Sequence, residues 1–468
     1  MSIGKLTDKS KTLLAQAARN TLKDVTNDDT YYIFVGYTDS EQYPFADSDR
    51  SESTLDSDLV QVYRNVVSMH RVLPGGVSRV IPRKNWVKNN YYRGWYHGID
   101  NTHDYYVLST EIIRGVPRQN VYKCLFAPHS TSTIPPTGVS PTPFKTTDGY
   151  WWQYMYTITN SEAILFQNNS FMPVPEKIRK SEEDAITTGT SRFDQLQVQN
   201  NARKGSIFNI RIDSEFADTA SFTTKTTISL RAKDGYGNNA DITQDFKATA
   251  TRDSEGDSNW RFQVQQFGAG FTALPYAFDS DQDSDNSRIH AFKLVMSEKS
   301  GHGTSAADEL KAQNVMFVSR GIPESGDYKA IAQNDYAMIG LIKNPIDTNT
   351  GEIGTQDFYL VAEKAICDNV ALFNLDSEFQ KAGDSNTRGR VVAVDNKNVY
   401  YVKSGLLEKN FADSDSISQG SVHSNSIQKR IPPEIDFNSG DFLAIDYLAT
   451  SLTRSPDQIE SLNIVLEL

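Results

Sequence analysis

Apolar residues in this chain fall mostly in short runs closed off by Gly, Pro, Asn and Asp, and only rarely at the three- and four-residue spacing of a helix. Residues 31–37, 77–81, 105–108, 121–126 and 150–158 are the clearest strands of the first part, rich in the aromatic and β-branched side chains that suit a pleated, half-buried surface. Pro82 has no N–H for a ladder, so the 77–81 strand ends there and hands Arg83, Lys84 and Trp86 to a surface. Along 150–158, alternation puts Tyr150, Trp152, Tyr154 and Tyr156 on one face and Trp151 and Met155 on the other, so protein covers both faces. Helical spacing recurs in Leu14, Ala18, Leu22 and Val25, beside Leu13 and Ala17, and predicts an amphipathic helix over 8–25. Leu59, Val62, Val66 and Met69 predict a second helix over 59–69, capped by Ser57 or Asp58.

Between these elements lie an acidic, solvated loop over 39–58 and a packed aromatic loop over 91–104. A proline-rich ordered loop spans 128–143, and Pro173-Val174-Pro175 is extended. Beyond Ser181 the composition changes. Residues 207–212, 226–232, 246–251 and 260–267 are β-like runs separated by Gly, Asn and Asp clusters, which predicts an inserted all-β module. A short helix over 306–316 is anchored by Leu310, and the Asn396-Lys397-Asn398 turn joins 389–395 to 399–402 as a hairpin in a small β module over 385–420.

Length and charge narrow the possibilities. The 468 residues suffice for two or three domains. With 47 basic and 59 acidic residues the formal charge is −12, which disfavours a phosphate-neutralising nucleic-acid surface and favours basic partners. Two cysteines, Cys124 and Cys367, lie far apart with no CxxC spacing, which argues against a disulfide framework and fits assembly in a reducing cytoplasm. The amino terminus lacks an apolar core and no run is long enough for a membrane helix, so neither a signal peptide nor membrane insertion is expected.

No motif frames a reaction. Asp279, Asp281, Asp283 and Asp285 alternate as in a calcium loop, yet Ser284 and His290 occupy the positions that need glycine and glutamate, so a solvated acidic loop is the reading. His97 and His103 near Asp100 and Asp104, and His302 in an exposed-looking Gly301-His302-Gly303 turn, lack the spacing of a zinc site. There is no Gly-x-Ser-x-Gly elbow, and Gly268-Ala269-Gly270 is not a phosphate loop. No catalytic, cofactor or metal site is therefore predicted. Trp86, Trp95, Trp151 and Trp152 remain as core residues, interface anchors or a sugar-stacking face, the first two readings being favoured.

Several segments, in the same order along the chain, resemble the baseplate wedge subunit of T-even-like, contractile-tailed bacteriophages. They are Val80-Ile81-Pro82-Arg83-Lys84-Asn85-Trp86, Val121-Tyr122-Lys123-Cys124-Leu125, Asp148-Gly149-Tyr150-Trp151-Trp152-Gln153-Tyr154 and Met172-Pro173-Val174-Pro175-Glu176. Met338 to Pro345, Ser439 to Ile445 and Asp457 to Leu466 extend the resemblance. Residues 200–335 and 355–425 fall outside it. The resemblance implies a mainly β, multi-domain antiparallel β-sandwich framework with a few short helices and inserted small β modules. The framework's amino-terminal part would span 1–195, the all-β insertion 200–300, a framework segment 301–350, the small module 385–420, and returning carboxy-terminal strands 425–468. It further implies a non-enzymatic virion protein of the tail baseplate, assembled in the host cytoplasm, that forms a homodimer and binds other wedge proteins. Nucleic acid is not an expected partner. On this reading Arg83, Lys84, Trp86 and Trp95 are the candidate interface, and Trp86→Ala should weaken assembly while sparing the isolated fold. The competing expectation is a tail-associated carbohydrate-binding or glycan-degrading protein.

Overall fold

A computed structural model of the chain describes residues 6–23, 28–37, 62–213, 224–235, 244–281, 288–320, 336–371, 373–406, 408–419, 423–437, 439–452 and 461–467. The fold is mainly β, built of several antiparallel sheets with a few short helices. It divides into two compact units, one of Met1–Gln16 and Ser78–Asn314, the other of Ala17–Val77 and Val315–Glu467. The 39–58 loop and residues 283 and 285 of the acidic series lie outside the described residues.

In the first unit the aromatic strand Trp151–Ile158 sits between Val116–Phe126 and the short Phe144–Lys145, with Tyr106–Ile113 completing a four-stranded sheet. Both faces are covered, as its composition demands. Tyr150, Trp152 and Tyr154 pack with Tyr92, Tyr122 and Val198, the last from the helix Ser191–Asn201. Met155 and Ile158 pack into a second core with Trp95, Tyr106 and Leu310. Strict alternation fails at one point. Val121 pairs with Tyr156 and Tyr122 with Tyr154, so Met155 is the extra residue of a bulge and Tyr156 joins the second core instead of the first.

Val77–Pro82 pairs antiparallel with Phe171–Pro173 and ends at Pro82 as expected. The described strands between residues 207 and 296 are antiparallel, as their composition predicts. One sheet runs in the order Arg261–Gln266, Lys247–Thr251, Thr227–Lys233, Tyr276–Asp279, and a separate pair, Ile207–Ile212 with Phe292–Met296, shares its core. The amino-terminal helix Asp8–Lys23 forms where predicted but turns another face inward. Thr12 and Ala15 are buried, whereas Leu13 and Leu14 are half exposed. The inward face is set by buried Arg79, which donates to the Thr12 carbonyl (3.3 Å) and clasps Glu176 with two nitrogens.

In the second unit Tyr31–Gly36 is the central strand of a five-stranded sheet, flanked by Val66–Arg71 and Tyr336–Lys343, with Phe358–Leu360 and Asp441–Leu452 at the edges. Gly340 must be glycine, because a Cβ there would lie 2.1 Å from the ring of Phe34 on the neighbouring strand. The predicted helix over 59–69 is corrected here. Only residues 62–65 are helical among those described, and Val66–Arg71 is a strand buried from Val66 to His70, so its apolar residues could not report a period. The predicted hairpin belongs to a larger structure, a closed six-stranded barrel from Glu363–Cys367 to His423–Ile431. Phe379, Tyr401 and Phe411 fill its interior.

Candidate functional site

The most distinctive chemistry of the first unit is built from a tight turn and a one-turn helix. Gly301 and Gly303 both adopt positive φ (98° and 94°). A Cβ on Gly301 would meet the Arg203 backbone at 2.6 Å, and one on Gly303 would meet Val198 at 2.5 Å. This geometry folds His302 inward. It is 6% exposed, which corrects the exposed turn read from the sequence. Its ring stands edge-on to Trp95 (5.2 Å) and Phe208 (5.6 Å).

Ser305 then caps the helix Ala306–Glu309 by accepting from the Asp308 N–H, and the helix carries Glu309 into the interior. The carboxylate of Glu309, 1% exposed, accepts from the N–H groups of Gly303 (2.8 Å) and Ser305 (3.2 Å) and from the ammonium of Lys123. Lys123 is fully buried on the Val116–Phe126 strand, and its Nζ also lies 4.7 Å from the centre of the Trp95 ring. His302 Nδ1 is 4.0 Å from Glu309 and has no hydrogen-bond partner. Burial, reinforced by Lys123, holds the His302 pKa well below its ordinary value, so the ring is neutral at pH 7.

Beside this buried group opens a cleft of about 370 Å³, lined in part by Trp95, Ser305 and Glu309. Glu298 lines it too, its carboxyl pushed up by burial against the opposing pull of Lys123. Two ion pairs tie the first turn of the Asp8–Lys23 helix to the rim, Lys9 with Asp308 (2.6 Å) and Lys311 with Asp8 (2.5 Å). The hydrogen bond from Lys311 holds the Asp8 carboxyl below its usual range. Lys177 and Lys299 are exposed members of the lining and form no ion pair among the described residues.

The four residues singled out from the sequence are not brought together as one surface. Trp95 is 3% exposed in the core beneath the cleft, which corrects its assignment to an interface. Trp86 is half-buried against a different core, where its indole N–H donates to Ser132 (3.1 Å), itself bonded to Asp148. Lys84 pairs with Asp104 (2.8 Å), and Arg83 donates to the Asn168 carbonyl (3.0 Å). Trp152 is fully buried and Trp151 packs on Phe208 and Phe267, so neither offers a bare ring for stacking a sugar. His103 bonds Asp100 at 2.7 Å, and Thr102 and His103 together pull that carboxyl down to about 2. No group of three or more metal-ligating side chains occurs among the described residues. Both cysteines are buried and free, and Asp279 is engaged by Lys225 (2.5 Å).

Sequence reasoning missed Lys123, Glu298 and Glu309. One signal was available, a lysine in the middle of an apolar strand, which demands a buried partner. That partner lies 186 residues away in the chain. In comparisons with known proteins, no protein-family model and no curated protein matches this chain.

Proposed function

We propose that this protein is a structural subunit of a contractile-tail baseplate wedge that joins neighbouring wedge proteins through protein–protein contacts. The reading rests on the ordered segments that resemble that family and on one feature of the first unit. The hairpin of Tyr106–Ile113 and Val116–Phe126 turns at Arg114 and Gly115, both at positive φ (51° and 81°), as a tight two-residue turn requires. Its tip carries Ile112, Ile113 and Val116, which are 77%, 42% and 56% exposed. Burying one such side chain is worth about 1.5–3 kcal/mol, so a cluster at the end of a regular hairpin is a costly thing to leave in water unless a partner covers it.

The tip is too small to hold a partner alone, since stable interfaces bury ~1,200–2,000 Å². It serves instead as the apolar anchor of a wider contact that moves with the baseplate when the sheath contracts. Immunogold labelling of purified tailed particles tests the proposal. Label confined to the base of the tail is expected; protein found free in infected-cell lysate and absent from particles would overturn it.

A further inference from the structure

The cleft beside Glu309 has no role in the assembly reading, and its chemistry points to a ligand. At about 370 Å³ it is in the size range of small-molecule sites, roughly 300–1,000 Å³. Its charges do not cancel evenly. Lys123 neutralises Glu309 from behind, and the Lys9–Asp308 and Lys311–Asp8 pairs neutralise each other at the rim. Lys177 and Lys299 remain, opposed by the single carboxyl of Glu298. That leaves one uncompensated positive charge at the rim, in a chain of formal charge −12.

A cation would meet the unpaired Lys177 and Lys299 here. A neutral sugar would find no open ring to stack on, because Lys123 lies over Trp95 and His302 packs edge-on to it.

We infer that this cleft binds a small anion, a molecule bearing a phosphate or carboxylate group, held at the rim by Lys177 and Lys299. The anion would displace water from the mouth and share Lys9 and Lys311 with their acidic partners, while the Lys123–Glu309 pair keeps the floor rigid. The inference does not depend on the wedge assignment.

Isothermal titration of the full chain at pH 7 and low salt with inorganic phosphate, with citrate and with glucose tests it. Saturable one-to-one binding of phosphate or citrate, but not of glucose, is expected, and the better of the two identifies the head group. The double variant Lys177→Ala/Lys299→Ala should lose about tenfold or more in affinity with an unchanged melting curve. Lys145→Ala, which removes an exposed lysine elsewhere in the same unit, should bind as the natural chain does. Absence of saturation by either anion up to about 10 mM would overturn the inference. Equal affinity in the double variant, equal loss in Lys145→Ala, or comparable binding of glucose would do the same.

Discussion

Among the described residues, each compact unit buries one glutamate almost completely, and the two are held in different ways. Glu363 of the barrel, 2% exposed, accepts from Tyr401 and Arg430 (both 2.7 Å) and lies 3.4 Å from Lys403. Its partners are side chains from two other barrel strands, so the group cross-links the barrel wall. Burial, followed by the charge of Glu363, drives the Tyr401 hydroxyl far above its usual pKa, which keeps it a donor. Glu309 has one cation, and its other donors are N–H groups of its own turn. Glu363 can lose a partner and remain compensated. Glu309 cannot, and it stands against an open cleft. Redundant compensation marks a staple; single compensation beside a cleft marks a place where a fixed charge matters.

The largest expected effect sharpens that contrast. Lys123→Met leaves Glu309 in the interior without its cation and should destabilise the first unit by about 3–5 kcal/mol in denaturant unfolding, whereas Lys123→Met/Glu309→Leu should recover most of the loss. Lys403→Met in the barrel should cost only about 1 kcal/mol, because Arg430 and Tyr401 still bond Glu363. Equal losses from the two single substitutions would remove the distinction.

Trp86→Ala comes next, at about 2 kcal/mol, less than the ~3–5 kcal/mol of a fully buried aromatic because Trp86 is half-buried, yet large enough to register in a thermal melt. This differs from the expectation, drawn from the sequence, that the fold would be spared.

A smaller effect depends on pH. His302 has its pKa depressed in the folded state, so between that value and its ordinary 6.5 the unfolded chain binds the extra proton and stability falls on acidification. The contribution can reach about 1.4 kcal/mol for each pH unit crossed. His302→Gln should flatten the profile below pH 6.5; an unchanged profile would mean that the ring is not held neutral. The raised carboxyl of Glu298 acts with the opposite sign above its ordinary 4.5, favouring the folded state as pH falls.

The smallest effect on stability, within about 0.5 kcal/mol, is expected for Ile112→Ser at the hairpin tip. Its consequence should be seen in assembly, as a loss of incorporation into tails.

Much of the β framework was legible because aromatic and β-branched residues mark half-buried strands, as in residues 150–158 and the 389–402 hairpin. Legibility failed where periodicity stops carrying information. The Met155 bulge moves Tyr156 to the other face, and the Val66–Arg71 strand is buried on both sides. On the amino-terminal helix a salt-bridged arginine, and not the leucines, decides which face turns inward. The candidate site was nearly invisible. Its cleft combines residues from the first helix, the aromatic loop and the 298–311 segment, over a lysine from a sheet strand, and no local pattern links them.

The closed barrel has a mechanical consequence. An open sheet can be peeled from its outermost strand, one hydrogen bond at a time. In the barrel each of six strands is paired on both sides, so no strand is outermost. A pull on any one strand is opposed by two ladders at once and passed on around the ring, so the barrel should yield in a single rupture and otherwise transmit load as a stiff washer.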